Sequence, residues 1–225
     1  ADIVFTPFSI YSGDDLTSTF DVSEEYCASV YSIDELTWRS PELSKFRAMH
    51  AMAVKRELLV SNNYFQTEGI SYTDTQFIFY SYLYAKTCSF FSRAIYKYYL
   101  GRDGQTVSRA AIVKSHMHFY ENADRMLEDY LKVESELTEK RAVVLEMSIC
   151  ACYKYFALTV LCHLPYQKEK INLVKHLLSR MQHTSRGFQT EFVLLDDVLP
   201  YKLWRKYHIP ALIVNHLYRV IKYLC

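Results

Sequence analysis

Apolar residues change their spacing once along this chain. Up to about residue 108 they fall in short runs rich in β-branched and aromatic side chains, and beyond it they recur every three or four positions. In the first part, Ile3-Val4-Phe5 predicts a strand, and Thr17 to Val30 predicts strands around a polar turn near Ser23-Glu24. Thr87 to Phe91 and Ala94 to Tyr99 predict two paired strands around Ser92-Arg93. Ser40-Pro41-Glu42 puts proline where a first helical residue is favoured, so a helix is expected to begin there. Thr73-Asp74-Thr75-Gln76 has the form of a capping box, in which the Thr73 hydroxyl accepts the Gln76 amide and the Gln76 side chain reaches back. The helix that starts there is expected to bury Phe77, Tyr80 and Tyr84 on one face and to keep Asp74 near the surface.

In the second part, Ile112, His116, Phe119, Ala123, Met126, Tyr130 and Val133 predict one amphipathic helix of about six turns. Leu137 to Leu164 is apolar nearly all round and is expected at the middle of a bundle. Pro165 opens a third helix with Ile171, Val174, Leu177, Leu178 and Met181 on one face, and Gly187 lies where it would stop. Pro200 and Pro210 bracket and restart the last helices. Ile209, Ile213, His216, Leu217, Val220 and Leu224 form a final stripe near Lys202, Arg205, Lys206, Arg219 and Lys222. Such a basic amphipathic end fits a closing bundle helix, or a helix lying on an anionic membrane surface as a peripheral contact. The expected fold class is α+β, mainly α, with short strands and helices over 1–108 and a helical bundle over 109–225.

Composition narrows the function classes. Half of the 225 residues are hydrophobic and 16% are aromatic, which argues against a disordered chain, and the length allows one large or two small domains. Net charge is +1 with both signs interspersed, so no single-sign field exists for a polyanion and nucleic acid is not an expected partner. The six cysteines (Cys27, Cys88, Cys150, Cys152, Cys162 and Cys225) contain no Cys-x-x-Cys pair, and three lie in one apolar segment. That pattern fits free thiols in a reducing compartment. Charges interrupt every apolar run before the ~18 residues needed to span a bilayer, and no signal peptide is recognised, so the cytoplasm is the expected location. P-loop, Gly-x-Gly-x-x-Gly, His-Glu-x-x-His and Gly-x-Ser-x-Gly motifs are lacking, and no His pairs with Cys at zinc spacing.

One stretch carries specific chemistry. Glu68-Gly69, followed by Tyr72-Thr73-Asp74 at the head of a helix, resembles the acidic motif of family-2 glycosyltransferases, the inverting enzymes of the GT-A fold. Thr73 stands where the family often has a further acid. Upstream, Lys55-Arg56-Glu57-Leu58-Leu59 resembles the segment that precedes this motif. Downstream, Tyr96 to Arg102 and Gln105-Thr106-Val107-Ser108 resemble the aromatic segment that follows it. The resemblance runs from about Ala1 to Ser108 and covers roughly half the chain.

The resemblance implies that Asp74 is the base that deprotonates an acceptor hydroxyl, and that His50, Glu68 and Arg102 contact substrate. Each has a plainer reading from its residues. An Asp in a first helical turn is favoured by the helix dipole in any protein. A lone His among apolar neighbours is commonly structural. Arg102 either grips phosphate or acceptor, or anchors the strand pair through Asp103 or Glu68. The resemblance also implies a nucleotide-sugar donor, a glycan or lipid-linked acceptor in polysaccharide synthesis, and work at the inner face of the membrane. A divalent metal, Mg or Mn, is expected only in the intact enzyme. The family's metal-binding Asp-x-Asp does not occur here, and Asp14-Asp15 and Asp196-Asp197 read as solvated turn residues. Ile3-Val4-Phe5 reads as a strand entered in mid-fold, so the donor-binding half is expected to lie outside this chain and the chain alone to be inactive. The competing expectation is a non-catalytic helical interaction module that retains a glycosyltransferase-like scaffold.

Overall fold

The computed structural model describes residues 1–101, 105–106, 108–185, 188 and 198–224, the last five by backbone alone. Among the described residues helix predominates over strand and the strands lie in small sheets, so the fold is mixed α and β. Two compact units divide the chain. The first comprises Ala1–Gly69, Thr73–Gln105 and Leu137–Leu145, and the second comprises Ile70–Tyr72, Thr106–Glu136 and Glu146–Cys225.

Two sheets build the first unit from strands β1 (Ile3–Phe5), β2 (Phe8–Ser12), β3 (Asp15–Phe20), β4 (Val30–Ser32), β5 (Met52–Val54), β6 (Thr87–Phe90) and β7 (Tyr96–Leu100). One sheet runs β4-β6-β1-β5 and the other β3-β2-β7. The pairing expected around Ser92-Arg93 is not formed, because β6 and β7 lie in different sheets. Instead, residues 87–100 track residues 3–12: β6 lies parallel to β1 with Ile3 opposite Cys88, and β7 lies parallel to β2 with Phe8 opposite Tyr96. Pro7, which has no N–H to give a ladder, separates β1 from β2. The backbone of the second track bridges the same gap, with the Phe91 amide on Phe5 O and the Ile95 amide on Pro7 O.

Thr17 to Val30 likewise divides. β3 forms a hairpin with β2, a helical turn follows at Glu24–Cys27, and β4 joins the other sheet. The hairpin turns on Gly13, at φ +59°, followed by Asp14. A left-handed first central residue suits the twist of a two-residue hairpin. Asp14 is thus a turn residue, whereas Asp15 opens β3 opposite Ser12. Asp196-Asp197 lie outside the described residues. The helix expected after Pro41 is a short 3₁₀ turn, Leu43–Phe46, begun by the Ser40 hydroxyl accepting the Leu43 amide at 3.1 Å.

Phe5 is the centre of this unit's core. It is fully buried and packs against Trp38, Phe46, Tyr82 and Phe90 at centroid separations of 5.3–5.8 Å. The helix Asp74–Tyr84 buries more than the expected aromatic stripe: Gln76 and Ile78 through Tyr82 are covered, while Phe77 and Tyr84 sit half-buried at the margin. Arg141, at the start of the helix Glu139–Leu158, closes the unit by bonding Asp34 and the Leu83 carbonyl.

The second unit is helical. The single helix expected from Ile112 to Val133 is two, Arg109–Lys114 and His116–Val133, broken at Ser115. The His116 ring Nδ1 lies 2.8 Å from the Val113 carbonyl, a side-chain bond made at the break. Buried Met126, Leu127 and Tyr130 line the inner face of the second of these helices. The Tyr130 hydroxyl donates to the buried Glu146 carboxylate at 2.8 Å, which answers a polar group set among Val144, Leu145 and Ile149.

The apolar helix continues through a π-helical turn, Thr159–His163. Carbonyls that such a turn frees are taken by buried Asn215, whose amide donates to Leu161 O at 3.0 Å and Leu164 O at 2.9 Å. Against the expectation from charge spacing, Glu139–His163 is long enough to cross a membrane and holds an 18-residue window with a mean hydropathy of 1.5. However, 72% of its most apolar window is buried inside the protein, which is how a core helix passes the same test. The third helix runs Lys168–Gln182, with Ile171, Val174, Leu177 and Met181 buried, and Gly187 lies outside the described residues.

Pro200 begins Leu199–Arg205, and Ala211–Leu224 follows Pro210. Part of the stripe expected to close the bundle faces outward. Ala211, Val214 and Asn215 are covered, whereas Ile213, His216 and Leu217 are exposed.

Candidate functional site

The helix bearing Asp74 starts where the sequence places it, but by a different device. Thr73 occupies the N-cap with helical dihedrals (φ −74°, ψ −6°) and makes no side-chain cap bond. Gln76, fully buried, turns instead to Thr67: its Oε1 accepts the Thr67 amide at 3.2 Å, and its Nε2 lies 3.0 Å from the Thr67 hydroxyl. Gln66 Nε2 donates to the Thr73 hydroxyl. These bonds stitch the loop before Glu68 onto the first turn of the helix. Asp74 is exposed there, among backbone amides that have no intrahelical partner.

His50 lies in the 3₁₀ turn Met49–Ala51, which packs against the Asp74 helix. Its ring is stacked on Tyr98 (4.7 Å, 15°) and Tyr96 (5.2 Å, 21°), with Phe8 edge-on at 4.4 Å. Tyr96 and Tyr98 are two apart on β7 and share a face, and the β2–β7 register sets Phe8 opposite Tyr96. Burial holds His50 below its ordinary value, and the negative charge of Asp74 partly opposes that fall. His50 is therefore largely neutral near pH 7. Its Nε2 is buried without a hydrogen-bond partner among the described residues.

The structure thus brings Asp74 and His50 within each other's electrostatic reach. Glu68 is exposed in the bend before Gly69, whose φ is +77°. Arg102 lies outside the described residues. The aromatic cage of His50 was not read from sequence. The two-residue spacing of Tyr96 and Tyr98 was visible, but Phe8 joins them only through a pairing across nearly ninety residues.

Ser71 and Tyr72 are anchored within the second unit. The Ser71 amide donates to His118 Nδ1 and its carbonyl accepts from Asn122, each at 3.0 Å. The Tyr72 hydroxyl donates to Thr106 O at 2.9 Å, and its ring stacks on Phe119 at 4.0 Å. These bonds hold Tyr72 at φ +64°, a conformation that a bulky residue rarely adopts.

Among the described residues no three His, Cys, Asp or Glu side chains converge as a metal site. No protein-family model, curated protein or solved structure matches the chain.

Proposed function

We propose that this chain carries the acceptor-side, base-bearing part of an inverting glycosyltransferase, which moves a sugar from a nucleotide-sugar donor to a glycan or lipid-linked acceptor. The observation that supports this reading is the placement of Asp74. It is an exposed carboxylate at the head of a helix, on a loop stitched down by Gln76 and Gln66 and next to a neutral, aromatic-caged His50.

In the proposed step an Asp74 oxygen takes the proton of the acceptor hydroxyl. The acceptor oxygen forms a bond to the anomeric carbon from the face opposite the leaving group, and the bond from that carbon to the diphosphate breaks. The nucleoside diphosphate leaves with the electron pair, and the anomeric configuration inverts. A neutral His50 leaves the Asp74 charge uncompensated for proton capture. Donor binding belongs, on this reading, to residues outside this chain.

The reaction class is tested with the full-length protein and a panel of nucleotide sugars. Nucleoside diphosphate release that depends on added acceptor, with an inverted product, is expected. Retention of configuration, or the absence of acceptor-dependent release across the panel, overturns the reading.

A further inference from the structure

The exposed face of Leu212, Ile213 and Leu217 belongs to a larger surface with one chemical character. Leu199, Tyr207, Leu212, Ile213 and Leu217 are each between 42% and 60% exposed, on two helices that pack together and on the turn that joins them. Apolar side chains at this density are not needed for the core, because Tyr201, Trp204, Ala211 and Val214 already fill it. Residues 198–225 contain Lys202, Arg205, Lys206, Arg219 and Lys222 and not one Asp or Glu, in a chain whose net charge is only +1. Lys206 and Arg219 are exposed.

A cavity of about 510 Å³ opens beside this surface, with Leu212 in its wall. Lys175, Arg205 and His208 also line it, and its described lining includes no carboxylate. The Ala211 helix begins at the same wall, and the first turn of a helix presents free amides and a partial positive charge. The cations that share the cavity wall with Leu212, and the outward leucines beside it, match a surface that is itself anionic at the headgroup and apolar beneath it. Another protein would need an acidic apolar face of its own, whereas an anionic bilayer supplies both properties at once.

We propose that this face docks on an anionic lipid bilayer, with Leu212, Ile213 and Leu217 entering the headgroup boundary and Lys206 and Arg219 meeting lipid phosphates. The proposal stands on the second unit alone and does not depend on the transfer reaction.

The test is co-sedimentation of the 225-residue chain with vesicles of phosphatidylcholine, with or without phosphatidylglycerol. The expected result is binding to the anionic vesicles that falls as salt is raised, because exposed charges are screened. Lys206→Gln with Arg219→Gln should weaken partitioning by roughly fivefold per charge. Ile213→Gln with Leu217→Gln should weaken it by about tenfold or more. Both pairs are exposed, and an unchanged circular dichroism spectrum shows that the variants still fold. Equal binding to neutral and anionic vesicles, no binding to either, or wild-type binding by the leucine-face variant overturns the proposal. Light scattering that shows a dimer sealed by this face, with no vesicle binding, assigns the surface to self-association instead.

Discussion

Arg141 holds Asp34 with both arms of its guanidinium, Nε on one carboxylate oxygen at 3.0 Å and a terminal nitrogen on the other at 2.8 Å. Its remaining arm donates to the Leu83 carbonyl at 3.1 Å, near the end of the Asp74 helix. Asp34 also accepts from Thr138, and Lys140 reaches the neighbouring Glu35 carbonyl. Thus the first turn of a helix far along the sequence is built into the sheet-bearing unit. Only 14% of the Arg141 side chain is exposed, so the pair lies between the weak surface bridge and the costly buried one. Arg141→Lys keeps the charge and loses the planar fork, and it should destabilise the protein by about 1–3 kcal/mol in urea unfolding. Unfolding at the wild-type midpoint would contradict this role.

The helix start offers a sharper contrast. Because Thr73 makes no cap bond and the bond its hydroxyl accepts from Gln66 is exposed, Thr73→Ala should cost less than about 0.5 kcal/mol, below the ~1 kcal/mol typical of a working cap. Gln76→Leu removes the bonds between the buried amide and Thr67, and should cost about 1–3 kcal/mol. The reverse order in thermal melts would restore the capping box.

Tyr82 is fully buried, and its hydroxyl has no hydrogen-bond partner among the described residues. Burial pushes its pKa well up. Tyr82→Phe removes that unsatisfied group while keeping the ring against Phe5 and Trp38, so stability should hold or rise by up to about 1 kcal/mol. A clear loss would show that the hydroxyl is bonded in solution.

His50 tests the neighbourhood of Asp74 without any assay of activity. Its folded value is depressed by burial, so the unfolded chain takes the proton first as pH falls. The His50 contribution to stability is therefore complete above the unfolded value of 6.5 and is lost as pH drops through the folded value. His50→Phe should flatten the loss of stability as pH falls below 6.5. Asp74→Asn removes the charge that favours His50 protonation, so the His50 midpoint in an NMR titration should move further down. An unmoved midpoint would separate the two residues.

Local signals were legible in the sequence. Ile3–Phe5 is a strand, a helix begins at Asp74, and the long apolar helix runs through Ile149 and Phe156, because each depends on spacing within a few residues. What failed depends on distant partners. Thr87–Phe90 and Tyr96–Leu100 look like a hairpin until β1 and β2 are known to run beside them. The last helix shows the same limit: the spacing of Ile213 and Leu217 reveals a stripe, but only the packing of Val214 and Asn215 decides which side is covered. Of the candidate site, Asp74 and His50 were legible by residue type, while the Tyr96–Tyr98–Phe8 cage and the Gln76–Thr67 stitch came from the fold.

The most direct test of the proposed chemistry is the turnover of Asp74→Asn in the full-length protein, with donor affinity measured separately. General-base catalysis contributes about 10²- to 10⁴-fold. The account predicts a fall in kcat of that size with donor binding little changed. Wild-type turnover in Asp74→Asn would contradict it and remove Asp74 from the reaction.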